Sequence, residues 1–165
     1  MIYSWSKLEK FLNYLLIFLL PTQLALHFWP PTSFVFGIRV DYLAPSVYLT
    51  DIVFLTLFTV WIRNHHKSFL RFVGKNKNYI ILFISLAVLN TAFSTSIYPS
   101  IYKWLKFTEL ATFYYYVRAR REIFNSKTIF SVLFYSMLSF SLIGIFQFIL
   151  GRTLGGPLYL LGERS

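Results

Sequence analysis

The sequence predicts an all-α integral membrane protein: a single domain over residues 1–165, built as a polytopic bundle of about five transmembrane helices, N-terminus inside and C-terminus outside. Three observations carry this expectation. Hydrophobic residues make up 56% of the 165 and aromatics 21%, with a mean hydropathy of +0.57, which is more apolar surface than one core of that size can hide. The apolar residues fall in runs near the ~20 residues that a helix rising ~1.5 Å per residue needs to cross a ~30 Å hydrocarbon layer. The basic residues sit mostly in short clusters between those runs.

The first run, Phe11 to Trp29, follows Lys7 and Lys10. A basic start and an apolar stretch also suit a cleaved signal peptide. The segment "PTQLALHFW", however, offers no small-x-small cleavage site, because Leu24, Leu26 and Phe28 surround Ala25. An uncleaved helix is therefore expected, kinked at Pro21, where proline removes a backbone donor. The second run, Val47 to Ile62, is short and is expected to borrow residues from Tyr42 to Ser46. The third covers Tyr79 to Ser96, the fourth Tyr98 to Val117 and the fifth Thr128 to Leu150. Tyr114, Tyr115 and Tyr116, with Trp104, read as an interfacial aromatic belt.

Loop charge sets the orientation, because cytoplasmic loops collect Lys and Arg. With the N-terminus inside, Lys7, Lys10, Arg63, Lys67, Arg71, Lys75, Lys77, Arg118, Arg120, Arg121 and Lys127 all lie inside, eleven in number, against three outside, Arg39, Arg152 and Arg164. The same clustering argues against nucleic-acid binding despite the net charge of +10, since charge without a motif is weak support for that reading. The chain has no Cys, which excludes disulfides and Cys-ligated metal sites.

Soluble-enzyme signatures are absent: no phosphate-binding glycine loop, no dinucleotide fingerprint, no zincin helix motif and no nucleophile elbow. His65 and His66 are adjacent rather than four apart, so they do not share the helical face a metal needs and read as solvated loop residues. His27 stands near the outer end of the first run. No metal and no cofactor is expected from these features, and none of them identifies a catalytic residue.

The fourth run holds the unusual chemistry. Measured inward from Tyr98, Lys103 would lie about 7 Å deep, Lys106 about 12 Å and Glu109 about 16 Å, near the midplane. Lys103 can snorkel outward, but Glu109 must be neutral, paired or facing a wet cavity, since an isolated carboxylate there costs at least ~2.5 kcal/mol. Asp51 lies at a depth similar to Lys103 and is expected to face Lys103 or Lys106 across the bundle. Asp51, Lys103, Lys106 and Glu109 then form either an ion-pair network that locks two helices or a cationic pocket for a lipid diphosphate.

The stretches "GIRVDYLAPSVYLTDIVF", "KFTELATFYYYV" and "GGPLYLLGERS" together resemble the N-terminal half of the bacterial O-antigen ligase and O-antigen polymerase-like membrane proteins. The resemblance runs the length of the chain, although none of the motifs is a catalytic signature. It implies a multi-pass glycosyltransferase of the bacterial inner membrane that moves glycan from a polyprenyl-diphosphate carrier to a glycan or lipid acceptor on the outer face. Lys103, Lys106, Arg39, Arg152 and Arg164 would be its candidates for the diphosphate. Family members carry about twice as many spans and a large late outer loop with the key basic and His residues. This sequence stops just after "LGER", so it is expected to be a truncated product, an incomplete gene model or one half of a split protein whose C-terminal half is a partner. Two other classes stand beside this reading: a small transporter or flippase-like subunit, and a purely structural membrane subunit.

Overall fold

In the computed structural model, residues 2–152 are described except 23, 41 and 42, with side chains described from residue 7. Among the described residues, five α-helices make up the framework: α1 (Ile2–Leu19), α2 (Leu49–Lys75), α3 (Lys77–Ala92), α4 (Ile97–Ala119) and α5 (Ser126–Leu150). Between α1 and α2 the chain forms β1 (Ala25–His27), β2 (Phe34–Val35), β3 (Ile38–Arg39) and β4 (Ser46–Tyr48). These pair as two antiparallel ribbons, β1 with β4 and β2 with β3.

The core lies where α1, α2 and α4 meet. Leu12, Leu16, Leu19, Val53, Phe54, Leu57, Val60, Trp61 and Tyr116 are all buried there. Residues such as Leu12, Leu16 and Leu19 recur at the three-to-four spacing of one helical face. Trp61 is the hub of an aromatic cluster, edge-on to Tyr115, Tyr116 and Phe69 at centroid separations of 5.6, 5.7 and 6.1 Å. Such edge-to-face pairs add roughly 0.5–1.5 kcal/mol each beyond their buried area.

The bundle of about five transmembrane helices is not what these helices form. Among the described residues, only α5 is long and apolar enough to cross a membrane, and α2 with α3 qualifies only as a joined pair bent by 74°. Each shortfall has a local cause. Lys7, Glu9 and Lys10 interrupt α1, and Lys103, Lys106 and Glu109 interrupt α4. The apolar part of α2 gives way to Arg63, Asn64, His65 and His66, while α3 has just 16 residues, a rise of about 24 Å.

Other boundaries move as well. The helix expected over Phe11–Trp29 stops at Leu19, and Pro21 lies beyond it rather than kinking it; the residue before a proline is pushed out of helical geometry. The basic stretch after Ile62 is helical rather than a loop, with a break at His65 (φ −128°, ψ 28°). The tyrosine triplet is no interfacial belt: Tyr115 stacks on Phe72 at 3.6 Å and Tyr116 is fully buried, leaving Tyr114 exposed.

α5 contrasts with the core helices. Ser136 is its one buried residue among those described, while Phe130, Phe134, Met137, Phe146 and Ile149 stand exposed. Ser136 Oγ donates to the Phe18 carbonyl and the Phe18 and Phe140 rings meet at 5.8 Å, which fastens the end of α1 to the middle of α5.

Asn13 is fully buried in α1, and neither its Oδ1 nor its Nδ2 has a hydrogen-bond partner among the described residues. An unpaired buried amide costs about 1–3 kcal/mol. Asn13→Leu is therefore expected to raise the thermal unfolding midpoint in detergent by a few degrees; a lowered midpoint would mean that the amide is satisfied.

Candidate functional site

The site is built on the first turn of α2 and one face of α4. The Tyr48 N–H donates to Asp51 Oδ2 at 2.8 Å, so the carboxylate satisfies a free donor of the first turn and meets the positive end of the helix dipole. On α4, Tyr102, Lys106 and Glu109 are spaced four and three apart and share one face. Lys103 follows Tyr102 directly and is rotated about 100° away from that face.

That rotation decides which lysine is used. Lys106 Nζ pairs with Asp51 Oδ2 and lies 3.3 Å from Glu109 Oε2. Its charge also lies 5.1 Å from the Tyr48 ring and 5.8 Å from the Tyr102 ring, within cation–π range. Tyr102 Oη donates to the Ser46 carbonyl at 2.8 Å, tying α4 to β4. Lys103 is exposed and makes no ion pair among the described residues.

Two carboxylates thus flank one amine, and the cluster carries a net charge of −1 when all three groups are ionised. Lys103 is outside the cluster, so the local field disfavours a diphosphate at Lys106. The electrostatics follow. Burial works to depress the Lys106 pKa, but the hydrogen bond and charge of Asp51, helped by Glu109, outweigh it and leave the amine above its ordinary value. Burial, with the nearby Asp51 charge, pushes Glu109 up, and Lys106 only partly offsets this. Beside the cluster is a crevice of ≈ 210 Å³ whose lining includes Leu16, Phe54, Lys106, Glu109, Leu110 and Phe113.

The remaining cation candidates stay apart from this cluster. Arg39 stacks over the Trp29 ring at 3.4 Å, and Trp29 in turn stacks on His27 at 5.9 Å. Arg152 is exposed just beyond α5, and Arg164 lies outside the described residues. Among the described residues, no group of His, Asp and Glu is placed to hold a metal ion.

A second ionic cluster was missed at the sequence level. Glu9 is fully buried; Arg120 Nε reaches its Oε1 at 2.8 Å and Nη2 reaches Oε2 at 3.4 Å, while Tyr116 Oη donates to Oε1 at 3.5 Å. Arg120 also pairs with Glu122. Burial, then the Glu9 charge, raises the Tyr116 phenol well above its ordinary value. The one sequence signal was an acid between two lysines, Lys7 and Lys10, in an otherwise basic N-terminal stretch; its partner lies 111 positions away.

Compared with known proteins, the chain matches no family model, no curated protein and no solved structure.

A raised carboxyl pKa in the folded state stabilises below the unfolded pKa, and that contribution is lost as pH rises through the folded value. Removing Glu109 therefore relieves repulsion from Asp51 at neutral pH. Glu109→Gln should raise the unfolding midpoint relative to the parent chain, by an amount that grows as pH climbs from about 4 to about 8. Asp51→Asn should instead lower it, since the helix cap and ion pair together are worth about 1–3 kcal/mol. Thermal scans across that pH range test both.

Proposed function

We propose that this chain is a membrane-associated part of an O-antigen ligase or polymerase-like glycosyltransferase, and that its ionic crevice receives the glycan of a polyprenyl-diphosphate-linked sugar. The observation that carries the reading is the crevice itself, with Lys106 and Glu109 at a polar rim and Leu16, Phe54, Leu110 and Phe113 as apolar wall. A net-acidic rim suits hydroxyl donors better than a diphosphate, because carboxylates accept hydrogen bonds and repel phosphate. Arg39, Lys103 and Arg152, which are exposed, are the cations left for the diphosphate.

Two further features support an amphiphilic substrate. Apolar grooves of ≈ 480 and ≈ 500 Å³ follow one another along α3 and α4, sharing Phe83, Ile84 and Thr108. They have the shape and chemistry to hold an isoprenoid chain. Helix α5 has the length and composition to cross a membrane, and its flanks are asymmetric, with Arg120, Arg121 and Lys127 before or at its start and Arg152 after its end. By the charge rule this places the α5 N-terminus inside, and the proposed location is the bacterial inner membrane.

A structural reading is favoured by one observation of its own: Lys106 is saturated by two acids that bridge α2 and α4. Binding separates the two. Glu109→Gln in nanodiscs should weaken binding of a polyprenyl-diphosphate glycan about tenfold while leaving sugar-free polyprenyl diphosphate within about twofold, a loss of ~1.4 kcal/mol confined to the sugar. Equal affinities for the two lipids, in both parent and variant, would leave the cluster a helix clamp only.

A further inference from the structure

We propose that the β2–β3 hairpin is a membrane-interface anchor: its tip, Phe34 to Ile38, inserts into the outer-leaflet boundary while Arg39 and Trp29 engage the lipid phosphate layer. This goes beyond the glycosyl-transfer reading and depends only on α5 lying in a bilayer.

The tip is an apolar prong held on a rigid base. Phe34, Val35, Phe36 and Ile38 are exposed, Phe36 completely so and Ile38 to 70%. Below them, the Val40 N–H donates to the Ser33 carbonyl at 2.9 Å and the fully buried Ser33 Oγ donates to the Leu43 carbonyl at 3.2 Å. A second tie, from the Phe28 N–H to the Pro45 carbonyl at 2.9 Å, closes the neck beside the β1–β4 ribbon. The exposure is therefore not that of a loose loop.

The turn residues sharpen the point. Phe36 and Gly37 have φ of 51° and 79°, the left-handed pair of a two-residue hairpin turn in which Asn or Asp is the favoured first residue. A phenyl ring there gains no packing within the described chain, and in water it would be exposed for no return. A lipid boundary supplies the missing apolar surroundings.

Charge and position identify the occupant as lipid. Arg39 and Asp41 are the two Lys, Arg, Asp or Glu residues from 20 to 50, and Asp41 lies outside the described residues. Arg39 is stacked on Trp29, a cation matched to phosphate on an aromatic that favours the headgroup level. The level is also suitable. Because Ser136 and Phe140 hold Phe18, the segment leaving α1 starts beside the middle of α5. Glu9 pairs with Arg120 ahead of α5 while Phe18 meets its middle, so α1 runs in the same direction as α5, and the ribbon that follows α1 leads toward the remaining ~21 Å from Ser136 to Leu150.

The chain has no Cys, so single reporters are unambiguous. Phe36→Cys and Phe146→Cys, each carrying a polarity-sensitive dye, would be reconstituted in vesicles of phosphatidylethanolamine and phosphatidylglycerol with quenchers at defined acyl depths. The Phe36 reporter should emit as in an apolar medium and be quenched roughly twofold or more by shallow acyl quenchers, and much less by aqueous iodide. In a chain with Ile38→Cys as reporter, Phe36→Asn should return the dye to water without lowering the unfolding midpoint, because Asn suits the turn. A Phe36 dye that iodide quenches freely, while the Phe146 dye is lipid-quenched, would overturn the anchor alone. Aqueous behaviour at both positions would remove α5 from the membrane and the anchor with it. A shielded Phe36 dye that no lipid quencher reaches would indicate a protein contact and also overturn the proposal.

Discussion

The architecture turns on a buried charge pair between the first helix and the end of the fourth. Glu9 is completely enclosed, and the Arg120 guanidinium approaches both of its oxygens. Removing one partner from such a pair leaves an uncompensated buried charge, at a cost of about 3–5 kcal/mol. The geometry explains why the pair is so constraining. Arg120 caps α4, and Tyr116, one turn earlier, sends its hydroxyl to the same carboxylate while its ring packs on Trp61 of α2. One carboxylate thus sets the register of α1 against α4 and, through an aromatic contact, against α2.

The Asp51–Lys106–Glu109 cluster works at the middle of α4. From Lys106 to Arg120 the helix rises about 21 Å, so the two clusters hold α4 at its middle and at its C-terminal end, with the apolar core of Leu57, Trp61 and Tyr116 near Arg120. They differ in composition. At Glu9 an arginine with five donors serves two acids, Glu9 and Glu122, one of them exposed. At Lys106 a single ammonium serves two half-buried acids, and Glu109 is left short of positive charge. Both clusters set one cation against two acids, but the surplus acid at Arg120 is the exposed Glu122, whereas at Lys106 both acids are largely enclosed and the cluster opens on a crevice, which is why it, and not the more deeply buried pair, is the candidate for binding.

The apolar content is distributed unevenly about this framework. α1, α2 and α4 spend their apolar faces on each other, whereas α3 has no buried residue and α5 has Ser136 alone among those described. An apolar helix that buries almost nothing within its own chain needs another apolar phase. Of the two, α5 has the length and composition to cross a bilayer. α3 is shorter and bent away from α2, and its exposed face borders the grooves along α4.

By itself the sequence determined the helical segments, since apolar run length and basic punctuation are local properties. It also brought out Asp51, Lys103, Lys106 and Glu109 as a set, because charges within apolar runs are conspicuous and the i, i+3 relation of Lys106 to Glu109 follows from helix periodicity alone. It did not determine how many runs behave as spans, because where α1 ends, where α2 continues and how sharply α2 and α3 bend depend on which faces find partners. Nor could it choose between Lys103 and Lys106, which differ by their angle about α4 relative to α2. Only tertiary packing settles that angle, and packing alone joined Glu9 to Arg120 across 111 positions. The ribbons between α1 and α2 had the same origin: β1 and β4 are three residues each and pair across an intervening hairpin, too short to leave an alternating pattern before the pairing itself exists.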